Sequence, residues 1–200
     1  MNAQKRPRAN PTKRGLVRII GGKWRGRKLS IAPRPALRPS PDRVRETLFN
    51  WLNPYVDGAR CLDLYAGTGV LGFEAVSRGA AHATLVDNDR TAIDFLTQHL
   101  DILNADNIEV IEGDARTWLR TARPAPFDIV FLDPPFGQGL LEASLAVLPN
   151  GWLKHRAWVY LEAEKIPILH LAVAPWQLIR HGQTSQMQFA LLEFNSSTAG

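Results

Sequence analysis

One cysteine, Cys61, among 200 residues leaves no internal disulfide to build. A disulfide-stapled secreted fold is therefore excluded, and a reducing cytoplasm is the expected compartment. No apolar run approaches the roughly 20 residues of a membrane-spanning helix. The N-terminal stretch is basic but lacks the apolar segment of an export signal. His82, His155, His170 and His181 show no metal-ligand spacing and read as structural, so no metal site is expected. No internal repeat is present. Acids are almost missing from the first 45 positions, which hold fourteen Lys/Arg against Asp42 alone. That arm carries +13 and the remainder −8, beneath a modest overall +5. A basic arm on an acidic body points to a polyanionic partner, because cations that neutralise phosphates release counterions.

The length suits one domain with a sizeable core and a modest appendage. Residues 1–14 have almost no apolar side chains and read as a disordered basic tail. Leu16 to Ile20, Gly21-Gly22 and Trp24 to Ile31 read as a hairpin-like ribbon with the glycines in its turn. Lys23, Arg25, Arg27 and Lys28 would fan out around Trp24, whose ring suits stacking on RNA, packing of the ribbon onto the body, or both. Residues 32–41, with Pro33, Pro35, Pro39 and Pro41, read as a stiff connector. Ser40 then Pro41 signals the start of a helix. Its apolar face is Val44, Leu48, Trp51 and Leu52, with Arg43, Arg45 and Glu46 opposite, and Asn53-Pro54 ends it.

From residue 60 strands and helices alternate. Strands are expected at 61–65, 83–87, 108–112, 127–133 and 158–161, with helices at 70–78, 90–103, 115–123 and 140–148. Two last strands, 176–180 and 187–194, have no room for a helix between them, which adds an antiparallel hairpin to a parallel sheet. The expected organisation is a tail (1–14), a basic ribbon and helix (15–53), an α/β domain (54–195) and a C-terminal tail (196–200).

Chemistry gathers at strand ends. Gly67, Gly69 and Gly72 satisfy the dinucleotide spacing, so NAD has to be weighed. Asp63 ahead of the glycines, Asp87 at the next strand tip and Asp114 after the third would repel a pyrophosphate. They suit S-adenosylmethionine, which carries a sulfonium and an ammonium. At the fourth strand end, Asp133-Pro134-Pro135-Phe136 offers a carboxylate, free carbonyls and an aromatic face. Those parts can hold a flat base by an exocyclic amino group; the bland alternative is that Asp133 caps the next helix and Phe136 fills the core.

The glycine loop, the strand-end acids and the final hairpin resemble the class I methyltransferase fold. Asp-Pro-Pro-Phe resembles the motif of enzymes that methylate exocyclic amino groups. Residues 18–29, 37–49 and 63–79 are similar to the signatures of the RsmD family of bacterial 16S rRNA guanine-N2 methyltransferases, with a likeness running from about residue 15 to 194. This chain departs at Tyr65, Thr68 and Asp87, where that family often has Phe, Ser and Glu. The resemblance implies a Rossmann-like, mixed seven-stranded sheet with a basic β-ribbon extension, S-adenosylmethionine as cofactor, and 16S rRNA or the small ribosomal subunit as partner of a monomer. It implies a catalytic corner of Asp133, Pro134, Pro135 and Phe136. The cofactor set would be Asp63, Ala66, Gly67, Gly69, Asp87, Asn88, Asp114 and Ala115. The RNA set would be Arg18, Lys23, Trp24, Arg25, Arg27, Lys28, Arg38 and Arg43. Two rivals are an adenine-N6 DNA methyltransferase, for which no target-recognition region remains, and a non-catalytic RNA-binding assembly factor, against which the intact acid set argues.

Overall fold

A computed structural model describes residues 15–32, 41–166 and 175–196. The tail 1–14, Arg38, Ser40, His170 and most of the 32–41 connector lie outside those residues. After a short ribbon, β1 (Leu16–Arg18) and β2 (Lys28–Ser30), the chain forms α1 (Asp42–Leu52), β3 (Arg60–Asp63), α2 (Val70–Ser77) and β4 (His82–Asp87). Then come α3 (Arg90–Leu103), β5 (Ile108–Glu112), α4 (Ala115–Thr121), β6 (Phe127–Leu132), α5 (Leu140–Val147), β7 (Leu153–Ala163), β8 (Trp176–Gln183) and β9 (Gln188–Asn195). The main sheet has seven strands in the order β5-β4-β3-β6-β7-β9-β8. β3 to β7 are parallel, and β9 runs antiparallel to both β7 and β8.

Each central strand is apolar on both sides because helices cover both faces. Cys61, Phe131 and Tyr160 face one layer with α1, α2 and α3, whereas Leu62, Val130 and Leu161 face α4 and α5. Chain order reverses between β3 and β6, and the crevice beyond their carboxyl ends is where an open sheet of this kind takes a ligand. Asp63 and Asp133 lie on its two sides.

β7 is longer than its apolar run suggested. Lys154, His155 and Arg156 are exposed, so no hydrophobic pattern marks them. A register shift opposite Phe127 and Ile129 nevertheless keeps them in the strand, and Arg156 pairs with Asn195 of β9. The ribbon also differs from a tight Gly-Gly hairpin. Only three pairs join β1 to β2, and the reversal is spread over residues 19–27 around a 3₁₀ turn at Gly22–Trp24. Gly22, at φ +74°, serves close approach instead: a Cβ there would lie 1.7 Å from the carbonyl oxygen of Ser77 on α2.

That docking explains why all eight residues of α2 are buried, Glu74 and Ser77 included. Glu74 accepts the N–H groups of Ile20 and Gly21 at 2.7 Å each. Ser77 Oγ accepts from Trp24 N–H at 2.9 Å and donates to Gly21 O at 2.6 Å. Arg45, expected on the polar side of α1, is instead fully buried, bonded to Asp42 at 2.6 Å and 3.8 Å from Glu74. A buried carboxylate needs compensating charge, and Arg45 and Arg78 supply it.

Candidate active site

The sheet's carboxyl edge gathers acids from separate strands. Asp63 ends β3, is buried, and accepts Gly72 N–H at 3.3 Å. Burial pushes its carboxyl up to about 7, against the Gly72 hydrogen bond, with further upward pressure from Asp87 and Glu162. The chain then turns through Tyr65-Ala66-Gly67-Thr68-Gly69, with Gly67 at φ +52° and Gly69 at φ +71°. A side chain at Gly69 would strike Leu96, Phe73 and Leu85, so the loop lies flat on the helix layer. Ala66 N–H reaches Val86 O at 3.0 Å, which ties the loop to β4.

Asp87 ends β4. Its Oδ2 accepts Gly67 N–H at 2.7 Å and its Oδ1 accepts Asp89 N–H at 2.9 Å. Asn88 beside it is exposed. Asp114 caps α4, taking both the N–H and the hydroxyl of Thr117 at 2.9 Å, while Ala115 is buried behind it. The Thr117 N–H chiefly holds the Asp114 carboxyl below its ordinary value. The structure thus gives both acids a loop-bracing or capping duty in addition to the ligand role expected of them.

At the end of β6, Asp133 is half-exposed, Pro134 is buried, and Pro135 and Phe136 are exposed. Phe136 is 46% exposed, so it does not fill the core. Nor does Asp133 cap the next helix, since α5 begins at Leu140 with Gly139 at its N-cap. Both parts of the bland alternative therefore fail, and the corner presents a carboxylate beside an open aromatic face. The hydroxyl of Tyr65 meets Ser144 Oγ of α5 at 2.8 Å. It links the glycine loop to the helix that follows the corner.

Sequence reasoning missed Glu162. It is buried on β7, accepts the Tyr160 hydroxyl at 2.7 Å, and adds to the charge around Asp63 and Tyr160. The one signal was an acid at the end of an apolar parallel strand. His99 was missed too: it is buried on α3, and its Nε2 accepts Ser30 N–H of the ribbon at 3.1 Å. That bond requires an unprotonated Nε2, and burial lowers the imidazole to about 4.

Of the basic set, Lys23, Arg25, Arg27, Lys28 and Arg43 are exposed. Arg18 pairs with Asp42 at 3.3 Å, and Arg27 donates to Ile102 O at 2.8 Å. Trp24 takes the packing alternative. It belongs to the core, edge-on to Phe73 at 6.4 Å, with Lys23 Nζ 4.4 Å from its ring centre, so it offers no open face for stacking. Among the described residues no group of three or more His, Cys, Asp or Glu is placed to hold a metal ion, and no helix is long and apolar enough to cross a membrane.

A mostly parallel seven-stranded sheet of this order, closed by an antiparallel hairpin and carrying a glycine loop under strand-end acids, is the class I methyltransferase fold. A solved Escherichia coli chain, yhhF, superimposes with a TM-score of 0.82 at 46% identity, over 92% of this chain and all of that one. The profile of the family described as "Conserved hypothetical protein 95" matches residues 17–193, and the chain belongs to this family, the RsmD family. Its relatives include the ribosomal RNA small subunit methyltransferase D of Escherichia coli K12, 47% identical over 90% of each chain. The protein of the same name from Haemophilus influenzae is 42% identical over 92% of this chain and 96% of its own.

Proposed function

We propose that this protein methylates the exocyclic N2 amino group of a guanine in 16S rRNA. The observation that carries the reading is the Asp133–Phe136 corner, a half-exposed carboxylate and an open aromatic ring across the switch-point crevice from the glycine loop. Names of close relatives support ribosomal RNA as the substrate class. S-adenosylmethionine is the methyl donor, and when bound it supplies an electrophilic methyl group on a cationic sulfur.

The acids fit that donor. Burial raises the Asp63 carboxyl first, and the nearby Asp87 and Glu162 add upward pressure, so negative charge is crowded at one edge and a cationic ligand relieves that crowding. Asp87 takes ribose hydroxyls, Asp114 takes the adenine amino group, and Gly67 and Gly69 let the backbone come close to the ligand.

At the acceptor end, Phe136 stacks on a base drawn out of its neighbours. Asp133 and the Pro134 carbonyl accept the two N–H bonds of the amino group. The nitrogen lone pair, otherwise spread into the ring, is then turned towards the methyl group. Transfer would form one N–C bond as the donor's S–C bond breaks with its electron pair left on sulfur, and the alkylated, strongly acidic amine would give its proton to solvent water. The chain's contribution is positioning and electrostatics.

Incubating the protein with methyl-labelled S-adenosylmethionine, small-subunit rRNA and, separately, duplex DNA tests the substrate class. Label is expected in RNA alone. Label in DNA alone, or in neither, would overturn the reading.

A further inference from the structure

The ribbon is too small to hold its own shape. Three cross-strand pairs do not make a stable two-stranded sheet in water. Its cations add little, the one ion pair they make among the described residues being the exposed contact of Arg18 with Asp42 at 3.3 Å. Among the described residues Lys23, Arg25 and Lys28 have no acidic partner, and Arg27 reaches only a carbonyl. The ribbon is fixed by Val17, Ile19, Trp24 and Leu29 packed in the core, and its turn is oriented through the backbone by groups on two helices of the body. Glu74 takes Ile20 and Gly21 N–H, Ser77 takes Trp24 N–H and gives to Gly21 O, and His99 takes Ser30 N–H.

Glu74 is the centre of this arrangement and carries no role in the chemistry above. Sealing a carboxylate inside a protein is costly, and buried ion pairs are weak sources of stability compared with apolar packing. What a carboxylate offers instead is direction. Its two oxygens grip two consecutive N–H groups through charge-assisted bonds, which set the angle of the turn. The same helix begins at Gly69 of the cofactor loop. Trp24 then packs on Phe73, the ring that would collide with any side chain at Gly69.

We propose that Glu74 is a positioning residue for RNA: by gripping Ile20 and Gly21 it fixes the turn bearing Lys23, Arg25, Arg27 and Lys28 to the cofactor helix, so that those cations meet the phosphates of an RNA whose target base is in the active site. The proposal rests on the reading of the protein as an rRNA methyltransferase. Lys23, Arg25 and Lys28 stay available because the ribbon is held by its backbone and its apolar side chains. Losing the grip leaves the cations in place chemically but frees their direction.

The test compares full-length Glu74→Ala and Glu74→Gln with a variant in which Lys23, Arg25, Arg27 and Lys28 are all changed to Gln. S-adenosylmethionine affinity, KM for small-subunit rRNA, kcat and the salt dependence of RNA binding are measured on each. The fourfold variant should flatten the salt slope by roughly 0.7–0.9 for every phosphate that is no longer neutralised. Glu74→Ala should flatten it part of the way and raise KM for RNA about tenfold, in keeping with one or two phosphates left without their cation. Its cofactor affinity and its rate at saturating RNA should stay close to wild type. Glu74→Gln, which keeps one acceptor oxygen, should fall between. A purely structural Glu74 would lower the melting temperature without separating KM from kcat. If Glu74→Ala does not fold, Ser77→Ala removes the Trp24 acceptor without touching the buried charge and should show the same split. A salt slope unmoved in the fourfold variant overturns the RNA role of the ribbon. A slope that falls there but not in folded Glu74→Ala or Ser77→Ala overturns only the positioning role.

Discussion

Asp133→Ala should fold, bind S-adenosylmethionine normally and lose methyl transfer by ~10²-fold or more, the loss expected when a preorganised hydrogen-bonding group is removed from a transition state. The structure makes the separation feasible. Asp133 is half-exposed at a strand end and does not cap α5, so removing its carboxylate leaves no helix end uncapped. Asp133→Asn keeps a carbonyl acceptor but no charge, and its rate should fall less. Phe136→Ala should act on capture of the base, raising KM for RNA, while Phe136→Tyr or Phe136→Trp should be milder because a stacking face survives. Single-turnover methylation, melting temperature and cofactor affinity on each variant separate these effects. A folded, cofactor-binding Asp133→Ala that methylates at the wild-type rate would show that the corner is not the catalytic site.

Asp87→Ala should weaken S-adenosylmethionine binding by about 1–3 kcal/mol, or roughly 5- to 150-fold. Two losses combine. The ribose hydroxyls lose an acceptor, and the N–H groups of Gly67 and Asp89 lose the carboxylate that holds the glycine loop to β4. Asp87→Asn retains one carbonyl oxygen and should recover part of the affinity. Titration calorimetry reads both variants. Wild-type affinity in Asp87→Ala would reduce the residue to a loop brace. Tight NAD binding by the unmutated protein, with none for S-adenosylmethionine, would overturn the account of the acids.

The sheet was legible because its strands are short apolar runs separated by helices with clear faces. Such a pattern constrains topology almost by itself once crossovers are right-handed. The candidate corner was legible for a different reason: two prolines stop a strand abruptly, which leaves the acid before them at the strand's carboxyl end. What sequence periodicity did not show is how the ribbon is held. Arg45 looks like an ordinary polar-face residue of α1, but it is buried with Asp42 at 2.6 Å and with Glu74, a residue distant in the chain, at 3.8 Å. Glu74 and Ser77 look like the polar side of an amphipathic helix, yet α2 has no exposed side because the ribbon covers it. Trp24 sits among cations in sequence and among core residues in space. In each case packing between segments distant in the chain decides the environment, and local pattern carries no record of it.

The atom that receives the methyl group is the most direct test of the account. The rRNA methylated by this protein is digested to nucleosides and the modified nucleoside is fragmented by mass spectrometry. One additional methyl group on the exocyclic N2 of guanine, absent when the protein is withheld and strongly reduced with Asp133→Ala, is the predicted result. A methyl group on ribose, on a ring nitrogen or on adenine N6 would contradict it, because the Asp133 and Pro134 acceptors are read as a grip on a guanine amino group.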